Sequence, residues 1–253
     1  MGSNIVSLLK ENGYLNIITK NRSDLDLLNQ RDTERFFEQE RPDNVICAAA
    51  KVGGILANQN FPVNFLYENL NIQNNLIHSS YKFNVRSLVF LGSACIYPKY
   101  AHQPIRESSL LTGNLEATNE AYAIAKIAGL KLCEAYFRQY NKSFISIMPN
   151  NLYGPNDNFS PASSHVIPAL IQKFHNAKSN SEKTVQIWGS GKPLREFLHV
   201  NDLCRAILIL MKDSNINKLL ESNSYHINIG SGEEISVKDL ALLIREVTGF
   251  SGQ

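Results

Sequence analysis

The sequence lacks the features that mark membrane, secreted and nucleic-acid-binding proteins. No apolar run approaches the roughly 18–20 residues of a membrane helix, and no basic-then-apolar signal peptide opens the chain. The four cysteines lie far apart without a CxxC pair, which argues against a disulfide framework or a zinc site. The 25 Lys+Arg and 23 Asp+Glu residues form no basic block that would favour nucleic acid. We therefore expect a cytoplasmic protein with reduced thiols and neither a membrane nor a nucleic-acid partner.

The composition is that of a chain with a full core. Of the 253 residues, 43% are hydrophobic and only 19% are charged, so the sequence is neither a disordered tail nor a disulfide-stapled miniprotein. The length suits one large domain or two small ones.

Strand and helix patterns alternate along the chain. The predicted strands are residues 15–18, 45–50, 87–91, 144–148, 185–188 and 226–229. The predicted helices are residues 5–11, 64–82, 121–140, 167–176, 200–211 and 237–248, with a turn and helix over 25–40. Because the strands lack in/out alternation, we predict an α/β fold with a Rossmann-type doubly wound parallel sheet, covered by helices on both faces.

The amino-acid composition of the sequence changes after Pro149. Residues 150–164 are rich in Asn, Ser, Pro and Gly, as in a long functional loop. We expect a nucleotide-binding domain over residues 1–150, and a smaller α/β substrate-binding region over 151–253 with segments that return to the sheet.

The candidate catalytic residues are Ser93, Tyr122 and Lys126. Tyr122 and Lys126 stand four positions apart, on the same face of a predicted helix. A free tyrosine has a pKa of about 10, and a fixed lysine cation is expected to lower it toward the range useful for proton transfer. Ser93 follows a predicted strand, at the edge where α/β sheets bind ligands.

The YxxxK spacing is common, and taken alone it is better explained as a solvent-exposed pair on a helix than as a catalytic pair. The strand-end serine and the nucleotide-type sheet around it favour catalysis. The trio on this scaffold resembles the short-chain dehydrogenase/reductases, which transfer hydride to or from NAD(P).

A closer resemblance is carried by six segments. They are AAAKVGGI (48–55), LGSACIYP (91–98), NEAYAIAKIAG (119–129), NLYGP (151–155), SHVIPAL (164–170) and WGSGKPLREFLHV (188–200). Together they resemble the GDP-L-fucose synthase family, extended reductases that convert GDP-4-keto-6-deoxy-D-mannose to GDP-L-fucose with NADPH. The resemblance implies epimerisation at C3 and C5, reduction at C4, and a homodimer.

The resemblance also implies the site residues. Cys95 and His165 match the acid/base pair of the epimerisation, although by themselves they would be interpreted as a small buried hydrophobe and a satisfied loop histidine. The implied cofactor-binding positions are Gly2, Arg22, Leu91, Gly92, Ser93, Ala94, Lys126, Pro149, Asn150, Asn151, Leu152 and His165. The implied substrate-binding positions are Lys173, Trp188 and Arg195, with core packing as the alternative for Trp188. No metal is implied.

The residues around Arg22 indicate which nicotinamide cofactor is used. Enzymes that use NAD place a carboxylate after the second strand of the fold, whereas a 2′-phosphate requires cations. Lys20 and Arg22 occupy this position with no acid before Asp24. The guanidinium group of an arginine can donate two parallel hydrogen bonds to a phosphate, so NADP(H) is the expected cofactor.

Both ends of the chain differ from the family pattern. Gly2 matches only the last glycine of the family's GxxGxxG turn, and the chain ends soon after the helix over 237–248. We expect a chain shortened at both ends, without its first strand. The alternatives are therefore an inactive or incomplete member that binds nucleotide or a partner without turnover, and, on weaker grounds, another sugar-nucleotide epimerase or dehydratase.

Overall fold

A four-stranded parallel sheet lies at the centre of the fold in the computed structural model, which describes residues 1–160, 164–212 and 215–253. The strands are β1 (Asn44–Cys47), β2 (Ser87–Leu91), β3 (Ser143–Pro149), β4 (Asn151–Tyr153), β5 (Leu194–His199), β6 (His226–Ile229) and β7 (Glu234–Ser236). The helices are α1 (Gly2–Glu11), α2 (Gln30–Glu40), α3 (Ile55–Asn60), α4 (Pro62–Lys82), α5 (Glu120–Tyr140), α6 (Val166–Ser179), α7 (Val200–Met211), α8 (Asn215–Glu221) and α9 (Val237–Thr248).

The central sheet has the strand order β1-β2-β3-β6, with all neighbours parallel. One face is covered by α1, α7 and α8, in a core that includes Ile5, Ile145 and Leu203. The other face is covered by α2, α4 and α5, in a core that includes Phe37 and Phe144. Helices on both faces of a parallel sheet confirm the predicted doubly wound α/β fold.

A second, smaller sheet has the order β4-β5-β7, in which β5 is parallel to β4 and antiparallel to β7. Helices α6 and α9 form a separate apolar cluster beside it, built around Leu170, Phe174 and Leu240. Strand β6, between these elements in sequence, returns to the central sheet. The second half of the chain therefore contributes to both sheets.

Local sequence signals explain several helix boundaries. The side chain of Asn29 accepts hydrogen bonds from the first turn of α2, and Ser236 does the same for α9. Pro62 opens α4, where its missing N–H costs nothing, and Gly249 ends α9 in the left-handed conformation that glycine adopts without strain.

Three local predictions are wrong. Residues 15–18 and 185–188 form no strand, because neither segment joins a sheet through a ladder of hydrogen bonds. Leu15 is exposed, and the Val185 amide donates an isolated hydrogen bond to the Gln253 carbonyl at 2.7 Å. The predicted loop over 150–164 contains strand β4, and its residues 161–163 lie outside the described residues.

Among the described residues, no helix combines the length and the apolar character needed to cross a membrane.

Candidate active site

The carboxyl ends of the parallel strands meet at one edge of the central sheet, and the candidate site lies there. Strand β2 ends at Leu91 and is followed by Gly92, Ser93 and a short 3₁₀ turn over Ala94–Ile96. The Gly92 amide donates to the Ile147 carbonyl at 2.8 Å, and a Cβ at residue 92 would overlap the buried Met148 side chain. Glycine is therefore required for the close approach of this turn to β3.

Lys126 lies beneath the turn and is 3% exposed. Its Nζ donates a hydrogen bond to the Leu91 carbonyl at 2.8 Å, and lies 4.8 Å from the Phe90 ring centroid. The same Nζ is 5.7 Å from the centroid of the Tyr122 ring. Burial lowers the pKa of Lys126, and the facing thiols of Cys47 and Cys95 oppose that shift. Lys126 is therefore buried and Tyr122 half-buried, which excludes the alternative of a solvated helical pair.

Tyr122 is held between Lys126 and α4. Its ring makes an edge-to-face contact with Phe65, with the centroids 6.2 Å apart. Burial raises the pKa of Tyr122, electrostatic repulsion between a phenolate and an ionised Cys95 would raise it further, and the Ser93 hydroxyl opposes the shift by hydrogen bonding. The expected lowering of the Tyr122 pKa by Lys126 is not observed; burial, the largest cause, shifts that pKa in the opposite direction. The phenol is accordingly a neutral acid at physiological pH.

Cys95 is half-buried in the 3₁₀ turn, and its backbone N–H donates to the Ser93 hydroxyl at 3.4 Å. Burial raises the pKa of the Cys95 thiol, whereas the Ser93 side chain and the Lys126 charge oppose that rise. The structure thus brings Ser93, Cys95, Tyr122 and Lys126 into one cluster.

The structure does not bring His165 into this cluster. His165 directly precedes α6, and its side chain is exposed. Its backbone carbonyl accepts a hydrogen bond from the Ala169 N–H at 3.0 Å. In residues 1–160, 164–212 and 215–253 we find no contact between the His165 ring and Cys95 or Tyr122.

Two of the three predicted substrate residues lie together. The Nζ of Lys173 is 4.5 Å from the Trp188 ring centroid and donates to the Gln186 carbonyl at 3.2 Å. Trp188 is 73% exposed, which excludes core packing for it. Arg195, on β5, bonds the Leu194 carbonyl at 2.7 Å and has no described contact with that pair.

Arg22 lies in a turn and points toward α4. Its guanidinium is 3.6 Å from a carboxylate oxygen of Glu68, whose other oxygen is 3.8 Å from the Nζ of Lys51. Lys20 forms a separate ion pair with Glu40 at 3.6 Å. The Arg22 and Lys51 cations thus converge on one side chain of α4.

The beginning of α1 is suited to an anion. Helix α1 begins at Gly2 with no side-chain cap and no acidic residue in its first turn. There is open space at the position of a Gly2 Cβ. The uncapped amides of a helix N-terminus bind phosphate, and so does a guanidinium group such as that of Arg22.

The remaining predicted cofactor positions lie at the end of β3 and in β4. Pro149 ends β3, and the Asn150 amide donates to the Ile229 carbonyl at 3.1 Å. Asn151 and Leu152 belong to β4, where the Asn151 side chain donates to the Glu196 carbonyl at 3.0 Å. Within the described ranges, no group of three or more His, Cys, Asp or Glu side chains is placed to hold a metal ion.

Sequence reasoning missed three residues of the site. Phe65, Glu68 and Asn69 lie on one buried stripe of α4 and contact Tyr122, Arg22 and the Lys51 backbone. Phe65 fitted the apolar face of the helix pattern and carried no further signal. Glu68 and Asn69 are polar residues at core positions of that pattern, which did not indicate their partners.

The chain matches the model of the NAD dependent epimerase/dehydratase family over residues 1–230. It is 54% identical to GDP-L-fucose synthase 1 of Arabidopsis thaliana, covering all of this chain and 76% of that protein. It is 48% identical to the GDP-L-fucose synthase of Escherichia coli strain K12, covering all of this chain and 79% of that protein.

A solved structure of MlghC, a GDP-mannoheptose C4 reductase from Campylobacter jejuni with NADP bound, is also similar. The TM-score is 0.92 at 40% sequence identity, over all of this chain and 82% of that one. The likeness extends over the whole chain and includes both sheets.

Proposed function

The chain belongs to the NAD dependent epimerase/dehydratase family and, within it, to the GDP-L-fucose synthases; from that premise we propose the reaction that its site carries out. The substrate is GDP-4-keto-6-deoxy-D-mannose. The enzyme epimerises C3 and C5 and reduces C4 to give GDP-L-fucose, a step of nucleotide-sugar biosynthesis. The observation that carries the proposal is the cluster of Ser93, Cys95 and Tyr122 around the buried Lys126.

The cofactor is NADP(H), which supplies the hydride for the C4 reduction. Arg22 would hold the 2′-phosphate, and the first turn of α1, beginning at Gly2, would face the pyrophosphate. Lys126 would bind the nicotinamide ribose, with the β2 turn (Leu91 to Ala94) and the segment Pro149 to Leu152 along the nicotinamide half. His165 would contact this half from the start of α6.

Tyr122 is the proton donor in the reduction. The C4 oxygen gains negative charge as hydride arrives, and a neutral phenol with a raised pKa holds its proton until that charge develops. The Ser93 hydroxyl would donate a hydrogen bond to the same oxygen. The buried Lys126 ammonium stabilises the phenolate left on Tyr122.

Cys95 and His165 move the protons of the epimerisation. The C4 ketone acidifies the hydrogens on C3 and C5, so each inversion removes a proton from one face and returns it to the other. A protonated Cys95 thiol suits the returning acid, since burial raises its pKa. The imidazole of His165 is the base, since a ring nitrogen can accept a proton from carbon. For His165 to act there, α6 must bring it toward the strand edge when substrate binds.

The GDP moiety would bind along the second sheet. The exposed ring of Trp188, with Lys173 over it, offers a stacking face and a cation. Arg195 would pair with the diphosphate.

Purified chain with NADPH and the keto sugar nucleotide tests the proposal through the loss of nicotinamide absorbance. Turnover that Tyr122→Phe abolishes supports the reductase. Absence of turnover with cofactor binding retained would instead favour a member of the family that binds nucleotide without catalysis.

We also propose that the protein is a cytoplasmic homodimer. Large apolar side chains are exposed on α3 and the start of α4, namely Ile55, Leu56, Val63 and Tyr67. A second copy would cover them. Light scattering should give twice the chain mass, and Val63→Lys with Tyr67→Glu should give the monomer mass.

A further inference from the structure

The Glu68 carboxylate has a position that the proposed reaction does not explain. Its side chain is 11% exposed, and it is approached by two cations from separate loops, Arg22 at 3.6 Å and Lys51 at 3.8 Å. Both distances exceed those of a hydrogen bond, so neither cation is fully engaged. Asn64 donates to the same carboxylate at 3.2 Å.

The Lys51 backbone is fixed independently of its side chain. The Asn69 amide accepts from the Lys51 N–H at 2.9 Å and donates to the Lys51 carbonyl at 3.0 Å. Asn69 is itself buried and bonds the Phe65 carbonyl at 2.7 Å. The ammonium of Lys51 is thus directed to Glu68 from a rigid base, while 40% of its side chain remains exposed.

We infer that Lys51 is a second cation for the cofactor's 2′-phosphate, and that Glu68 is its resident counter-ion. The inference rests on the proposed role of Arg22. Two cations against one carboxylate leave a net charge of +1, which attracts a phosphate dianion. Glu68 repels the same dianion, because it lies within 4 Å of both cations. Lys51 therefore strengthens 2′-phosphate binding, and Glu68 weakens it and speeds release of the oxidised cofactor.

The two residues should affect affinity with opposite signs. Isothermal titration with 2′,5′-ADP, which carries the 2′-phosphate, and with 5′-ADP, which lacks it, measures this directly and without turnover. Lys51→Met should weaken 2′,5′-ADP binding by about tenfold, the scale of one lost charged hydrogen bond. Glu68→Gln should tighten it by about two- to fivefold, since the Arg22 and Lys51 side chains that Glu68 faces are partly exposed and pairs with exposed cations have modest energies. Both should leave 5′-ADP affinity unchanged.

Lys82→Met is the matched control. Lys82 has an exposure close to that of Lys51, 48% against 40%, and also forms an ion pair, but its partner is Glu34 on α2 and it has no role in the proposed cofactor site. It should change neither affinity by more than about twofold, the lower end expected for an exposed pair. Equal melting temperatures of all variants would show that the fold is retained.

Arg22→Ala distinguishes a failure of the Lys51 inference from a failure of the proposed 2′-phosphate site. If it weakens 2′,5′-ADP binding but Lys51→Met does not, the inference fails and the cofactor assignment stands. If Arg22→Ala has no effect, the 2′-phosphate binds elsewhere and both fail. Weaker 2′,5′-ADP binding in Glu68→Gln would overturn the counter-ion role.

Discussion

The ammonium group of Lys126 donates a hydrogen bond to the backbone carbonyl of Leu91 at 2.8 Å. This bond ties the middle of α5 to the carboxyl end of β2. Because Tyr122 stands one helical turn before Lys126, the same bond fixes the phenol beside Ser93 and Cys95. The site is therefore positioned by a helix and a strand of the core, which hold it more precisely than loops would.

Replacing Tyr122 by Phe removes the proton donor and little packing volume. We expect C4 reduction to fall by about 10²- to 10⁴-fold, the range for loss of a general acid. NADPH affinity should stay unchanged, because the edge-to-face contact with Phe65 is kept. Nicotinamide absorbance gives the rate and fluorescence titration the affinity; a variant as fast as the parent would remove Tyr122 from the reaction.

Replacing Cys95 by Ser should separate the two half-reactions. The hydroxyl keeps the size of the thiol but is a far weaker acid at this position. Solvent deuterium incorporation at C3 or C5 should fall more than C4 reduction does. Buried Cys133→Ser serves as the control for a general effect of losing a thiol. Unchanged incorporation would assign the proton transfer to another residue.

The buried thiol of Cys47 makes the free energy of unfolding depend on pH in the alkaline range. Burial raises the pKa of Cys47 to about 11 from an ordinary value of 9.0, so the unfolded chain ionises first. The contribution of the neutral Cys47 thiol to the free energy of unfolding is fully present below pH 9, and it is lost as the pH rises toward 11. Urea unfolding at pH 8 and pH 10 should show lower stability at pH 10, with a smaller difference in Cys47→Ala. Equal differences in the two proteins would contradict the assigned pKa.

Trp188 provides a direct signal for ligand binding. It is the single tryptophan of the chain, it is 73% exposed, and Lys173 lies over its ring. A guanine base stacking there should change its fluorescence on titration with GDP. Trp188→Phe should keep the melting temperature and lose the signal. An unaltered spectrum at saturating GDP would place the base elsewhere.

The turn after β2 depends on Gly92. A Cβ there would overlap the end of the fully buried Met148 side chain and lie 3.2 Å from the Ile147 carbonyl oxygen, so the buried side chain would have to shift. Gly92→Ala should cost about 1–3 kcal/mol of unfolding free energy, the range for overpacked sites. Gly2→Ala is the control for stability alone, because its Cβ would meet open space. Equal stability of both variants would refute the steric argument.

The sequence predicted the central strands well because buried parallel strands are continuous apolar runs. Residues 87–91 and 226–229 are strands with the predicted bounds. Residues 15–18 are also mostly apolar but do not pair with a strand, and pairing is a tertiary property that the local sequence pattern does not contain.

The candidate site was only partly predictable for a related reason. The spacing of Tyr122 and Lys126 places them on one helix face, but it does not show how deeply that face is buried. Burial determines the direction of both pKa shifts. The approach of Arg22 and Lys51 to Glu68 joins three segments distant in sequence, and no local signal announces such a contact.

The return of β6 to the central sheet determines how the protein can be divided. A fragment ending at residue 150 would lose the strand that pairs with β3 over Ser146–Pro149. Its longest strand, buried along nearly its whole length, would then offer unpaired backbone and apolar side chains to other molecules. The two halves of the gene are therefore not interchangeable modules: swapping one half between relatives would also replace a strand in the sheet of the other.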